Sequence, residues 1–373
     1  MNSQERPFLD FYGRHSIIPT ELVIPDEKMF FKQRDFLFQS LGIPPNLLRG
    51  KTIFELGPGN GQKLKHLLSL EPASYTAVDA NPASLEATNR VIQASGFRGP
   101  TAVFECDILE YSSDETYDLV LAELVIPSQL FPDAIVNKLF SFSKIGGLLI
   151  TTCTDFISLL SETLRKIIVT DLRLISDNLD KSATDIANFY AEDLSSLAGM
   201  NRKPKDWVLD QLIKPAIGKP FSIPDTLKNA SSTVSFNGSS PRFFRDFRWY
   251  KEPTISARST LDLVETNYWE TVHSLIDMRI APTYRIAKEN VRIFDVCESL
   301  YIYSTMNSFS NTTRHQITSI VRRLEVLVSE FSPVTANSID AFLNFWESGD
   351  IAHLDTFRPW WGRGSQYISL MKD

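Results

Sequence analysis

The chain has 373 residues, a formal net charge of −7 and 43% hydrophobic residues, which suits a globular core domain with a large addition. The acidic balance argues against a duplex nucleic-acid partner, and the lack of a run of about 20 apolar residues means no membrane span, so neither nucleic acid nor membrane is expected as a partner. Neither a secretion signal at the N-terminus nor disulfide or zinc-ligand spacing among Cys106, Cys153 and Cys297 is seen, so a cytoplasmic protein without a metal site is expected.

In chain order, 1–50 reads as a helical lead-in, with a helix over 28–41 stopped by Pro44-Pro45. From 51 to 152 the pattern alternates between short apolar strands (52–56, 74–78, 102–106, 118–122, 148–152) and helices (62–70, 82–95, 133–142). Crossovers of this length predict parallel strands with helices on both faces. The pair Gly146-Gly147 reads as a turn before the fifth strand. A long amphipathic helix over 159–179 and further helical stretches break the rhythm. Strands are predicted again over 232–236 and 245–250, around a turn at 237–241, and helical spacing then runs over 261–278, 284–305, 316–331 and 338–346. The predicted organisation is an N-terminal cap segment over 1–50, a core over 51–155, a helical insertion (a lid) over 156–230, late strands completing the core sheet over 231–252, and a C-terminal helical domain over 253–373.

The strongest local signal is Phe54-Glu55-Leu56-Gly57-Pro58-Gly59-Asn60-Gly61-Gln62. Glycines between a strand and a helix let the backbone turn sharply and approach a ligand. A dinucleotide loop needs Gly-x-Gly-x-x-Gly, and here Gln62 stands where the third glycine would be. Glu55 at the strand's end would repel a pyrophosphate, yet suits the sulfonium and ammonium charges of S-adenosylmethionine. Asp79 ends the second strand, followed by Ala80 and Asn81, at about the distance where an acidic residue takes ribose hydroxyls. Asp107, followed by Ile108, ends the third, where it could accept from an adenine amine.

Glu55-Leu56-Gly57-Pro58-Gly59-Asn60-Gly61 resembles the Glu/Asp-x-Gly-x-Gly-x-Gly signature of class I S-adenosylmethionine-dependent methyltransferases. Asp79 and Asp107 are similar to that family's second and third acidic positions, and 118–123 and 146–150 resemble its fourth strand and its approach to the fifth. The resemblance implies an α/β, Rossmann-like, mostly parallel doubly wound sheet, here with a helical insertion and an α-helical C-terminal region. It implies S-adenosylmethionine as cofactor, with Gly57, Gly59 and Gly61 along its methionine part, Glu55 near it, Asp79 on the ribose and Asp107 on the adenine. Ala80, Asn81, Ile108 and Glu123 complete the expected cofactor contacts. The Asp/Asn-Pro-Pro-Tyr motif of many nucleic-acid amino methylases is replaced by Ala122-Glu123-Leu124-Val125-Ile126-Pro127. That shifts weight to a small molecule or a sugar-derived compound as substrate.

Methyl transfer from a sulfonium needs a general base only for a hydroxyl or a protonated amine. His15 is the first candidate, with Tyr12 and Arg14 in the same polar-aromatic segment; Glu123, after the fourth strand, is the second. Arg242, Arg245 and Trp249 lie in a run alternating Arg with aromatics, which could hold an anionic or carbohydrate substrate. The expected activity is methyl transfer to a hydroxyl, with an amine as the lesser alternative. A non-catalytic sensor or assembly partner, and an aminopropyl-type transferase, are the other readings. Homodimerisation is left open.

Overall fold

The computed structural model describes residue 11 and residues 22–127, 129–215, 218–230 and 233–373. They fall into two units, one drawn from Met1–Thr154, Ile217–Tyr268 and Ser365–Asp373, the other from Asp155–Ala216 and Trp269–Gly364.

The first unit is built on a seven-stranded sheet of order β3-β2-β1-β4-β5-β7-β6. Its strands are β1 (Thr52–Leu56), β2 (Ser74–Asp79), β3 (Thr101–Glu105), β4 (Tyr117–Ala122), β5 (Ser143–Cys153), β6 (Val234–Ser240) and β7 (Gln366–Lys372). All pairings among β1 to β5 are parallel, and β7 alone runs antiparallel to its neighbours β5 and β6. This is the expected Rossmann-like, mostly parallel sheet. The period of two along each strand sorts the core into two layers. Phe54, Leu56, Val78, Val120, Ala122 and Leu149 pack on one face, against α4 (Pro132–Phe142). Ile53, Tyr75, Ala77, Leu119, Leu121 and Ile150 pack on the other. That second layer is covered by α1 (Glu27–Ser40), α2 (Gln62–Ser69) and α3 (Pro82–Ser95) through Phe38, Leu64, Leu67 and Val91. Each such apolar side chain removed from water contributes roughly 1.5–3 kcal/mol, so alternation along the strands fixes which side each helix covers.

Four local expectations differ from the structure. Residues 245–250 form no strand; Asp246 instead closes a local fork on Arg248, with bonds of 2.7–3.1 Å that hold the backbone in a bend. The seventh strand is Gln366–Lys372, whose Ile368 and Leu370 are fully buried between β5 and β6. The expected turn at 237–241 is mostly strand: Gly238 lies in β6, where a Cβ would come within 2.3 Å of the Leu41 carbonyl carbon at the end of α1. Gly146-Gly147 is likewise no turn but part of β5, at a shift of register against β4 where a Cβ on Gly147 would sit 2.8 Å from the Tyr117 oxygen.

The second unit is helical. It contains α5 (Leu160–Asp171), α6 (Leu179–Phe189), α7 (Ala191–Ser196) and α8 (Pro204–Val208), and after the sheet-forming residues of the first unit it resumes with α11 (Ala287–Ser304), α12 (Asn311–Ser329) and α13 (Pro333–Ser348); α9 (Ile223–Lys228) and most of α10 (Ala257–Thr271) belong to the first unit. The single helix expected over 159–179 ends at Asp171, because Arg173 takes a left-handed φ of 52° and Asn178 caps a new start. Arg165 is fully buried at the centre of this unit, paired with Asp193 at 2.9 Å, with its guanidinium 3.7 Å from the Trp361 ring centroid. The insertion and the C-terminal helices thus share one core.

Candidate functional site

In a parallel sheet, ligands gather at the carboxyl ends of the strands. The site is therefore built from the loops that leave β1, β2, β3 and β4. β1 runs into Gly57, Gly59 and Gly61, all left-handed, with φ of 69°, 62° and 73°. Only glycine takes that conformation without strain. The space is as restrictive as the angle: a Cβ on Gly57 would meet Val125 Cγ2 at 2.5 Å. The Gly57 N–H donates to the Val78 carbonyl at 2.9 Å, which ties the loop to the end of β2.

Asp79 closes β2, half-buried. Its Oδ1 accepts from the Asn81 N–H at 2.8 Å, and the Gly59 and Ala80 amides and the Ser84 hydroxyl also donate towards it. Burial outweighs those bonds and raises its carboxyl to about 6. Asn81 caps α3 by accepting from the Ala83 N–H at 3.1 Å, so its side chain is committed to the helix start. Asp107 follows β3 and accepts from the Leu109 N–H at 2.7 Å. Ile108, also expected at the cofactor, has its side chain buried in the same core layer as Phe54.

Glu55 shares the face of Ile53, so it points towards the α1 and α2 side of the sheet, and Glu123 shares that of Leu121. Both carboxylates are buried, and they fare differently. Glu55 accepts from the Tyr75 hydroxyl at 2.6 Å. Desolvation dominates there, so its carboxyl rises to about 7, with Tyr75 pulling it down and Glu123 pushing it up. Glu123 receives the two guanidinium nitrogens of Arg34, one at 2.9 Å on Oε2 and the other closer on Oε1, and the Lys63 ammonium at 3.0 Å. Burial alone would raise it, but the two cations win and hold it well below the usual carboxylate range. A carboxylate held this low and this fully paired is a poor proton acceptor. The structure therefore removes Glu123 from the role of general base and makes it the buried anchor between α1, α2 and β4.

Sequence reasoning missed Arg34, Lys63 and Tyr75. A signal was present for the first: Phe30, Arg34 and Phe38 recur at i, i+4 and i+8 on the buried stripe of α1, and a cation on that stripe requires a buried anion. Directly after Glu123, Leu124 takes a left-handed φ of 63° while 40% exposed, held by the Thr152 hydroxyl at 3.1 Å from its N–H. A strained non-glycine residue of this kind is expected where structure serves a site.

Tyr12, Arg14 and His15 lie outside the described residues. Arg242, Arg245 and Trp249 are exposed on the irregular segment that replaces the expected strand, and Trp249 is 66% exposed. Among the described residues, no group of three or more His, Cys, Asp or Glu could hold a metal ion.

A family model described as a methyltransferase domain matches residues 47–207. No curated protein matches the chain. Among solved structures, the chain is similar to the N-methyltransferase NodS from Bradyrhizobium japonicum WM9 in complex with S-adenosyl-L-homocysteine, at 20% identity over 35% of this chain and 63% of that one, with a TM-score of 0.29. It is also similar to an S-adenosylmethionine-dependent methyltransferase from Clostridium acetobutylicum ATCC 824, at 18% identity over 42% and 60% of the two chains and a TM-score of 0.31. StiE O-MT is similar over 92% of this chain and 73% of that one, at 10% identity and a TM-score of 0.37. The chain thus spans less than two thirds of the length of the NodS and Clostridium structures.

Proposed function

We propose, from the match of residues 47–207 to a methyltransferase domain and the strand order of the sheet, that the protein transfers a methyl group from S-adenosylmethionine to a hydroxyl of a small metabolite or sugar-derived compound. The observation that carries the reading is the left-handed glycine loop after β1 joined by hydrogen bonds to the end of β2, where Asp79 stands. The chemistry of these residues fits the cofactor: a Cβ at position 57 would strike Val125, so the loop keeps its backbone bare, and Asp79 is a half-buried carboxylate with hydroxyl-accepting capacity at the strand end.

When bound, S-adenosylmethionine supplies a methyl group activated on a sulfonium. Gly57, Gly59 and Gly61 let the backbone approach its methionine part, Asp79 accepts from ribose hydroxyls, and Asp107 accepts from the adenine amine. Glu55 lends negative charge near the cationic portion when ionised. The chain's main task is then positioning, which is worth about 7–11 kcal/mol at best. The hydroxyl reading rests on the sequence after β4, where Ala122-Glu123-Leu124-Val125-Ile126-Pro127 stands in place of the Asp/Asn-Pro-Pro-Tyr motif of amino methylases; Glu123, already paired with Arg34 and Lys63, leaves the base to another residue. In this reading His15 takes the acceptor's proton, and Tyr12 and Arg14 belong to the same segment of the sequence.

Titration calorimetry with S-adenosylmethionine and S-adenosylhomocysteine tests the first half. Both are expected to bind, and Asp79→Ala to weaken them at least tenfold; absence of binding, or an Asp79→Ala variant that binds as well as wild type, overturns it. Transfer of labelled methyl to a metabolite extract tests the second half. Product formed only on amines would overturn the hydroxyl assignment, and a His15→Ala variant with full transfer would remove His15 as base.

A further inference from the structure

The segment Pro241-Arg242-Phe243-Phe244-Arg245-Asp246-Phe247-Arg248-Trp249-Tyr250-Lys251 has no part in the proposed chemistry, yet its exposure is unlike that of a folded strand. One ring turns inward: Phe243 is 3% exposed, packs edge-on against Tyr268 at 5.2 Å, and donates its N–H to the Ser239 hydroxyl. That contact holds the base of the segment. The rings beyond it turn out, with Phe247 96% exposed, Tyr250 75% and Trp249 66%. Apolar rings presented together in this way mark an interaction surface.

Charge selects the partner. Residues 242–251 carry Arg242, Arg245, Arg248 and Lys251 against the single carboxylate of Asp246, in a chain whose net charge is −7. Asp246 is already neutralised within the segment by Arg248. The partner is therefore anionic. Area then counts against a folded protein: three rings of ~150–250 Å² each fall short of the ~800 Å² that each side gives to a stable protein interface. Ring geometry counts against stacked nucleic-acid bases, which need open ring faces. Here the Lys251 ammonium lies 4.9 Å from the Trp249 centroid and 5.5 Å from that of Tyr250, and the two rings meet edge to face at 5.6 Å. Protruding aromatic rings, with the Lys251 ammonium against two of them and arginines along the same segment, match the headgroup layer of a membrane, where Trp and Tyr settle and Lys and Arg meet lipid phosphates.

We propose that residues 242–251 dock the protein on anionic phospholipid surfaces, with Phe247, Trp249 and Tyr250 entering the headgroup layer and the flanking basic residues binding lipid phosphate. No helix among the described residues is long and apolar enough to cross a membrane; a surface anchor requires none. The hydropathy reading, which set aside a membrane partner, bears on spanning segments alone.

The test is co-sedimentation of the full chain with phosphatidylcholine vesicles containing or lacking phosphatidylserine. The chain is expected to partition to the phosphatidylserine vesicles and to be released by salt. Arg242→Gln/Lys251→Gln is expected to lower that partition about twenty-five-fold, since each basic residue at an anionic surface is worth about fivefold. Phe247→Ser/Trp249→Ser is expected to lower it at low salt too, with unchanged far-ultraviolet circular dichroism. Equal binding to both vesicle types, or wild-type binding by both variants, overturns the proposal. So does capture of a single-stranded oligonucleotide that Phe247→Ser/Trp249→Ser abolishes while vesicles are ignored. The outcome is independent of cofactor titration, so this proposal and the methyltransferase reading can fail separately.

Discussion

Replacing Arg34 by Met should loosen the glycine loop from a distance. Arg34 and Glu123 are both buried, with side chains 6% and 3% exposed. The substitution removes both guanidinium bonds to Glu123 and leaves only the Lys63 ammonium at 3.0 Å. Stranding one member of a buried pair costs about 3–5 kcal/mol. Because Lys63 remains, the lower end applies, and about 3 kcal/mol is roughly two orders of magnitude in an opening equilibrium. The double variant Arg34→Met/Glu123→Gln removes the under-paired carboxylate but leaves the Lys63 ammonium without its anion, so it should recover no more than about 1 kcal/mol of that loss. Hydrogen exchange over residues 52–69 reads the effect on β1, the loop and α2 without requiring the two units to unfold together. Amides there should exchange about a hundredfold faster in Arg34→Met and recover in part in the double variant. Less than a threefold change in the single variant, or a double variant that adds the two losses, would refute the view that this pair anchors the site.

The same geometry sets the response to pH and to further substitutions. Cofactor affinity should rise with pH through about 6 to 7, because Asp79 and Glu55 have carboxyls raised to about 6 and about 7 and serve the ligand when ionised; calorimetry across that range should show the rise, and Asp79→Asn should flatten its lower part. For the free protein the sign reverses at Glu55: its folded value lies above its unfolded one near 4.5, so the cost of its buried charge is absent below about 4.5 and complete above about 7. Glu55→Gln should therefore raise the melting temperature at pH 8 and leave it unchanged at pH 4, whereas equal shifts at both would contradict the assignment. Gly57→Ala should destabilise by about 2 kcal/mol, from the left-handed backbone and the contact with Val125, and adding Val125→Ala should return only the contact's share in urea titrations. Asn81→Ala should cost about 1 kcal/mol through loss of the cap on α3, and a neutral result would mean that the first N–H groups of α3 find another acceptor.

What could be read from the sequence was what local chemistry dictates. β1, β2, β4 and the inner half of β5 are buried on both faces and stand out as apolar runs, and the glycine loop is legible because its φ angles leave no other residue type. The misread parts are those whose cause lies far along the chain. β7 pairs with β5 and β6 across residues 241–365, and its modest Gln-Tyr-Ile-Ser-Leu-Met-Lys alternation is overshadowed by the aromatic tail before it. The Arg and aromatic alternation predicts a strand over 245–250, but Asp246, two residues before Arg248, closes its own fork there. Glu123 is the most instructive of these. Its place after β4 was readable, but its charge state was not, because that depends on Arg34, 89 residues earlier. Two buried carboxylates on the same face of one sheet thus end with opposite character. Glu55, met by a phenol, is raised, and Glu123, met by two cations, is lowered. Strand order locates a carboxylate at a site, while the long-range cation decides whether it can still exchange a proton there.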